Sequence, residues 1–547
     1  MTAVRAQEKA GDSEGSRSES SALLGVRLPL ALLLLLAAAL RAVAFKGYFG
    51  SDDGGYAKYA RLLSLGELEI PPPEDLVEVH ATRVGLYAPA ALIFRLLGPS
   101  EAGLLLFPLL CSLASVVLAF AAGRQLLGAR AGLLAGLLAA ILPMDARAAS
   151  TFMPDGPSAL CAAAGFLLLR WGCRQDDRPR QVVAGLVAGG AFVAAWLIKE
   201  SVAYLGPVVL LYLLWIAWTK RRLLTFAACA ATCLTGVAAE GLTYRSVADD
   251  PLYRPHAIER SFDSTAVIWQ QSSDWGRLFV DGRASTTAAE YWKTLLKRVI
   301  ADGPSQILLD PVFGLIPLVA LLGSLYTAFQ RRRELAFPAF WFVGIVLMFN
   351  FSSASLGTYR PLPLADRFLF LQLFPAVLLA AGFLDHLLPR SIRLAGNERE
   401  RAFWGGLLLC VVLLISAARI GQFWLEGPGA PVVREMEDRL DPSTPFYTDE
   451  RSLDIFNFFW GFETGPENRG FRELESVPPE PGDYLVVVPS RIESLKTWYG
   501  YEAPAQLDEL IANSEPLGGG LFRIQEVPPE SRLPAASASE AAPSDGP

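Results

Sequence analysis

The sequence predicts an α-helical polytopic membrane protein of about eleven transmembrane helices, with a small extracytoplasmic α/β domain at its C-terminal end. Three observations predict it. Hydrophobic residues make up 52% of the 547 and charged residues only 19%, whereas about a quarter of an ordinary soluble chain is charged. The apolar residues gather in nearly uncharged runs of about 17–23, each long enough to cross a bilayer. The charge is also divided: from Gly421 onward 9 Lys/Arg face 23 Asp/Glu, a balance of −14, while the rest of the chain carries +7. A soluble or secreted enzyme and a DNA-binding protein are both excluded.

Residues 1–21 are polar and rich in Ser and Glu, the composition of a disordered segment. The first apolar run, 22–44, ends in Ala42-Val43-Ala44, which imitates a signal-peptidase site. Its length and the many runs after it argue for an uncleaved anchor. Further runs cover 101–122, 131–146, 156–173, 182–198, 202–218, 223–242, 309–329, 335–351, 367–387 and 402–420. With a cytoplasmic N-terminus, every even-numbered connection is short and basic: Arg124 and Arg130; Arg174, Arg178 and Arg180; Lys220, Arg221 and Arg222; Arg331, Arg332 and Arg333; Arg390, Arg393, Arg399 and Arg401. Positive residues mark cytoplasmic loops. The opposite side then holds two long loops, 45–100 and 243–308, and the acidic C-terminal region.

The first of these loops is acidic and contains Pro71-Pro72-Pro73, then enters Leu86 to Phe94, an apolar stretch interrupted by Pro89. It is too short to span and reads as a helix lying on the membrane surface. Beyond Gly421 the patterning changes to that of a soluble domain, 421–527. Short strands are expected at Pro445–Thr448, Asp483–Val488 and Leu521–Ile524, with helices at Ser452–Trp460 and Ser490–Tyr499. Residues 528–547, rich in Pro, Ala, Ser and Glu, read as a disordered tail. The six cysteines lie in or beside apolar runs, so no disulfide framework is readable.

Ionisable groups at a membrane edge are costly and therefore functional candidates. On this topology Asp52 and Asp53, then Asp145 and Asp155, then Lys199 and Glu200, then Arg360 and Arg367 all reach the external face. Carboxylates suit proton abstraction or metal binding. They also serve plain structural ends: an acid pair can solvate a helix end, Lys199-Glu200 can be an interface ion pair, and Asp155 can cap a helix. No Gly-x-x-x-x-Gly-Lys-Ser/Thr phosphate loop occurs. A divalent cation (Mg²⁺, Mn²⁺ or Zn²⁺) stays open, since acids are plentiful but no His/Cys/Asp cluster has ligand spacing.

The run Ser51-Asp52-Asp53-Gly54-Gly55-Tyr56-Ala57 resembles the first-loop motif of the GT-C superfamily of polytopic glycosyltransferases, and within it the bacterial branch of protein mannosyltransferases and lipid A aminoarabinose transferases (the family 39 type). His80-Ala81-Thr82-Arg83 with Tyr87 and Pro89 is similar to the amphipathic stretch that follows. Asp145, then Met153-Pro154-Asp155-Gly156, is similar to the second acidic turn, and Lys199-Glu200-Ser201 and Asp366-Arg367-Phe368 to later charged turns. The resemblance covers about 20–420, a transmembrane unit of 22–420. It departs from the family in Asp52-Asp53, where Asp-Glu is common, and in Gly54-Gly55, where bulkier residues stand.

The resemblance implies a GT-C fold and an enzyme of the hexosyl- or pentosyltransferase class. The implied reaction moves a sugar from a polyprenyl-phosphate donor to a lipid, glycan or protein acceptor with inversion, at the outer face of the bacterial inner membrane. It points to Asp52, with Asp53, as the catalytic acids, and to Lys199, Arg360 and Arg367 on the donor phosphate. Asp155, Asp145, Glu200, His80, Arg83 and Tyr56 are implied at the acceptor or as a second acidic group. Membrane lipids are expected partners and nucleic acid is not. The competing classes are a secondary transporter, disfavoured because charges cluster on one face, and an oligosaccharide polymerase or ligase that also uses lipid-linked sugars.

Overall fold

The computed structural model describes residues 27–70, 79–208, 223–260, 303–351, 366–388, 397–462, 468–475, 477–499 and 502–527, with short pieces at 210–212, 296–297 and 300–301. The first helix covers 27–43. After eight intervening residues the Asp52–Leu65 helix begins, and it stops at Gly66, whose φ of 79° suits a residue without Cβ. A 3-10 turn, Val79–Thr82, leads into the Val84–Leu97 helix. That helix is the amphipathic element expected on the membrane surface. It buries Leu86, Tyr87, Ala90, Ala91 and Phe94 and leaves Leu92, Leu96 and Leu97 bare.

Among the described residues five helices are long and apolar enough to cross a membrane: Glu101–Leu127, Arg178–Ile198, Leu223–Ala248, Phe370–Leu387 and the helix ending at Glu426. Shorter apolar helices, including Ala129–Ala140, Ile316–Phe329 and Ala336–Phe351, pack among them. The chain is therefore a multi-pass membrane protein. Phe370–Leu387 is the central post, buried along most of its length, whereas Leu223–Ala248 stands at the periphery.

Water does not drive helices together inside a bilayer, so close packing must do so. Arg178–Ile198 and Leu223–Ala248 meet in this way: Gly185 and Gly189, one turn apart, let the carbonyls of Thr225 and Cys229 approach so closely that a Cβ would collide with them. An aromatic cluster of Phe166, Phe192, Phe337, Trp341 and Tyr212 fills the neighbouring core.

Three boundaries differ from the sequence expectation. The run 131–146 breaks after Ala140, because Pro143 has no amide hydrogen and opens a separate short helix, Pro143–Ala148. The run 309–329 becomes helical only at Ile316, after a left-handed Leu315 and the 3-10 turn Pro311–Phe313. The last long helix, Asn397–Glu426, continues past the 421 boundary, so the soluble patterning begins at about Gly427.

That final region folds as a five-stranded sheet in the order β2-β1-β3-β5-β4. The strands are β1 Phe446–Thr448, β2 Arg469–Gly470, β3 Tyr484–Val486, β4 Ser514–Gly518 and β5 Leu521–Ile524. β1 runs parallel to β2 and β3, and β5 is antiparallel to β3 and β4. Helices Glu450–Phe459 and Pro489–Tyr499 follow β1 and β3. Tyr447, Leu485, Leu507, Leu510 and Ile524 form a core of their own.

Candidate functional site

Asp52 is the first residue of its helix, where the helix dipole favours a negative charge. Its Oδ2 accepts a hydrogen bond from Arg367 Nη1 at 2.5 Å. His80 Nε2 lies 3.9 Å from its Oδ1. The Asp52 side chain keeps 29% of its surface exposed, so it borders open space. Burial works against its charge, but the nearby His80, Arg367 and Arg83 outweigh that and hold the carboxyl well below the usual range.

Asp53 is different, although it is the next residue. It is fully buried, and its two oxygens accept the backbone amides of Phe49 at 2.8 Å and Ser51 at 2.7 Å. Burial, aided by the charge of Asp52 and resisted by these two amides, pushes its pKa up to about 6. Both of its oxygens are occupied in folding the turn ahead of the helix, whereas Asp52 stays partly exposed.

One turn after Asp52, the buried Tyr56 meets the His80 ring edge-on, with centroids 4.7 Å apart. Gly55 explains the departure from bulkier residues, since a Cβ there would lie 2.9 Å from that ring. Tyr56 accepts a hydrogen bond from Arg83. Arg83 in turn grips Glu200 with both prongs of its guanidinium, at 3.1 and 2.6 Å.

Lys199 and Asp155 form an ion pair with side chains only 3% exposed. The alternative role of Asp155 as a helix cap is not observed: it is the first residue of the Asp155–Gly172 helix, Pro154 holds the cap position, and no side-chain cap bond forms. Arg367 feels the charges of both Asp52 and Asp155, so the three pairs Asp52–Arg367, Asp155–Lys199 and Glu200–Arg83 make one connected cluster of alternating sign. Of the residues the sequence singled out, the cluster gathers Asp52, Tyr56, His80, Arg83, Asp155, Lys199, Glu200 and Arg367. Arg360 lies outside the described residues.

Asp145 does not join them. It accepts hydrogen bonds from the buried Arg41 and from Ser112, the latter at 2.5 Å, and Arg41 also binds the carbonyls of Ala37 and Ala140. Arg41 is a cation inside the first apolar run and needs a buried counter-charge, which explains why Asp145 turns inward. Asp145 is thus tied to the helix bundle rather than to the cluster. A charge well inside that run, beyond Arg27 near its start, is the available signal. A second missed group is Arg254, 1% exposed, which donates to Glu240 at 2.8 Å and stacks on Trp196 4.9 Å away. No periodicity in the sequence marks it. Among the described residues no three His, Cys, Asp or Glu side chains gather to hold a metal ion.

Residues 85–239 match the family described as dolichyl-phosphate-mannose-protein mannosyltransferase. No curated protein matches the sequence. Among solved structures, the chain is similar to ArnT from Cupriavidus metallidurans in the apo state, at 17% identity over 87% of this chain and 95% of that one, TM-score 0.54. The same enzyme bound to undecaprenyl phosphate matches at 17% identity over 85% and 94%, TM-score 0.51. The Archaeoglobus fulgidus oligosaccharyltransferase AglB, in complex with an inhibitory peptide and a dolichol-phosphate, matches at 12% identity over 81% and 64%, TM-score 0.53. The mannosyltransferase match is confined to residues 85–239, the structural likenesses agree on the architecture, and the chain is a polytopic membrane protein that shares the fold of ArnT and AglB.

Proposed function

We propose that this protein transfers a sugar from a polyprenyl-phosphate donor to an acceptor hydroxyl or amine, with inversion, in a cleft at the non-cytoplasmic surface of a bacterial inner membrane. The observation that carries the proposal is the cluster itself: a half-exposed Asp52 carboxylate backed by three cations, each already opposite a carboxylate. The likeness to a structure bound to undecaprenyl phosphate supports the donor class.

In the proposed reaction the acceptor O–H or N–H gives its proton to Asp52 as its heteroatom attacks the anomeric carbon. The C–O bond to phosphate breaks on the opposite side, and polyprenyl phosphate leaves with the electron pair. The leaving phosphate gains negative charge and needs fixed cations. Arg367 links the two halves of this chemistry. While it pairs with Asp52 it makes that carboxylate a poor base. A donor phosphate competes for the same guanidinium, and once Arg367 turns to it, Asp52 regains basicity with the donor in position. Lys199, paired with Asp155, supplies a second cation. A crevice between the helices, lined by Ser115, Ala119, Asp145, Leu160, Phe370 and Phe374 and mostly apolar, suits an isoprenoid chain. The C-terminal α/β region, 421–527 in the sequence division, is assigned to the same side as the cleft.

The test is donor consumption by purified protein in lipid. Polyprenyl-phosphate sugars supplied with envelope extract as acceptor source are expected to yield free polyprenyl phosphate. Sugar-phosphate lipids that stay intact at all acceptor concentrations, whatever the sugar, argue against the reading. Orientation has its own prediction. In a cysteine-free background, a cysteine replacing Tyr447 should react with an impermeant thiol reagent in spheroplasts, and one replacing Arg332 should not. Labelling of position 332 from outside would overturn both the eleven-span topology and the outer-face site.

A further inference from the structure

Resting on the reading of Asp52 as the reacting carboxylate, the geometry points to the C-terminal α/β region as part of the catalytic apparatus: it holds the turn that carries Asp52, with Arg491 as the positioning residue. The parallel part of its sheet ends where the Glu450–Phe459 and Pro489–Tyr499 helices begin. In parallel α/β sheets this carboxyl end is where ligands bind. Here the chain's own residues 46–51 occupy it.

The contacts run along most of that turn. Lys46 accepts the Gly429 amide at 2.6 Å through its carbonyl. Tyr48 stacks on Phe458 with centroids 3.9 Å apart and planes 19° from parallel, and both rings are buried. The Tyr48 carbonyl accepts from Arg434, which is also paired with Glu101, and Glu101 accepts the Tyr48 amide at 2.7 Å. Gly50, at φ 69°, presses on Ile455 so closely that a Cβ would clash with it. Between them Phe49 is held from both sides: Asp53 accepts its amide, and Arg491, reaching in from the helix after β3, donates to its carbonyl. Asp52 follows three residues later.

Two of these features exceed what docking one region on another requires. Gly50 combines a left-handed backbone with a space that admits no side chain, so the turn has one shape only against Ile455. Arg491 and Asp53 also address opposite ends of a single peptide-bonded residue, which fixes the direction in which the next helix starts. Catalytic rates are sensitive to such placement, and a shift of about 1 Å at the reacting group costs roughly 100-fold.

The experiment uses full-length protein in lipid nanodiscs and reads two quantities: sugar transfer at saturating donor, and hydrogen–deuterium exchange of the peptide spanning 46–53. Arg491→Ala is expected to lower turnover by about 10- to 100-fold with the KM for donor unchanged, and to speed exchange of 46–53 while β3 and β5 stay protected. Arg491→Lys, which restores a charged donor, should recover part of both. Phe458→Leu keeps most of the volume but removes the Tyr48 stack, and it should reproduce the pattern at smaller amplitude if Arg491→Ala yields no folded protein. Parent-like exchange of 46–53 in Arg491→Ala and Phe458→Leu, or faster exchange confined to the sheet, overturns the inference. Failure of the functional reading has a different signature: an Asp52→Asn protein that turns over at the parent rate overturns that reading whatever the exchange of 46–53.

Discussion

Asp52→Asn is expected to lower sugar transfer by about 10²- to 10⁴-fold, the range for losing a general base. The amide keeps the size of the carboxylate and can still accept from Arg367, so the fold and donor binding should survive. What it lacks is the capacity to take the acceptor's proton. The neighbouring substitution separates position from chemistry. Asp53→Asn puts an NH₂ group against one of the two backbone amides that Asp53 now accepts. An unsatisfied buried donor costs about 1–3 kcal/mol, so this variant should unfold at lower temperature, and its activity loss should track the folded fraction. If instead Asp53→Asn abolishes turnover in fully folded protein while Asp52→Asn does not, the two roles are exchanged.

The second large effect is expected at Arg367. Removing a cation that meets the leaving phosphate should cost about 2–4 kcal/mol in the transition state, roughly 30- to 1000-fold in rate. Arg367→Ala has a second consequence, with a definite sign. Arg367 is one of the groups that hold the Asp52 carboxyl low. Without it the carboxyl protonates at higher pH in the donor-free enzyme, so the acid limb of the kcat/KM profile should move to higher pH. A profile measured in Arg367→Ala with the acid limb unmoved would separate Arg367 from Asp52. Lys199→Ala should behave otherwise. It strips the counter-charge from Asp155 inside the bundle, and breaking a buried pair costs about 3–5 kcal/mol. Its activity loss should therefore come with a lower folded yield, and Lys199→Met combined with Asp155→Asn should restore the yield without the activity.

The membrane body was legible because a bilayer imposes a length and a polarity on every crossing segment, and the Val84–Leu97 helix because a short apolar stretch holding Pro89 is too brief to cross. The strands at Phe446, Tyr484 and Leu521 and the helix at Ser452 stand where alternation and turn residues indicate them. Of the site, the residue types and their common side could be read, because charge at a membrane edge is expensive and conspicuous. Partnership could not. Asp145 and Asp155 look alike in sequence, one at the end of an apolar run and the other just ahead of the next, yet one turns to Arg41 and the other to Lys199. Asp52 and Asp53 are neighbours, but the helix start leaves one partly exposed against Arg367 and folds the other under the turn. Such choices depend on which cation the packing brings within reach, and Arg41, Arg434 and Arg491 are distant in sequence from the groups they meet.

The central claim is transfer from a polyprenyl-phosphate donor, and the most direct measurement is a paired mass-spectrometric profile of lipids and envelope glycans from cells carrying either the parent protein or Asp52→Asn at matched abundance. The account predicts that one polyprenyl-phosphate sugar accumulates in the Asp52→Asn cells, and that one envelope lipid, glycan or protein loses a sugar of the same mass. Identical donor-lipid and envelope profiles in the two strains would contradict it.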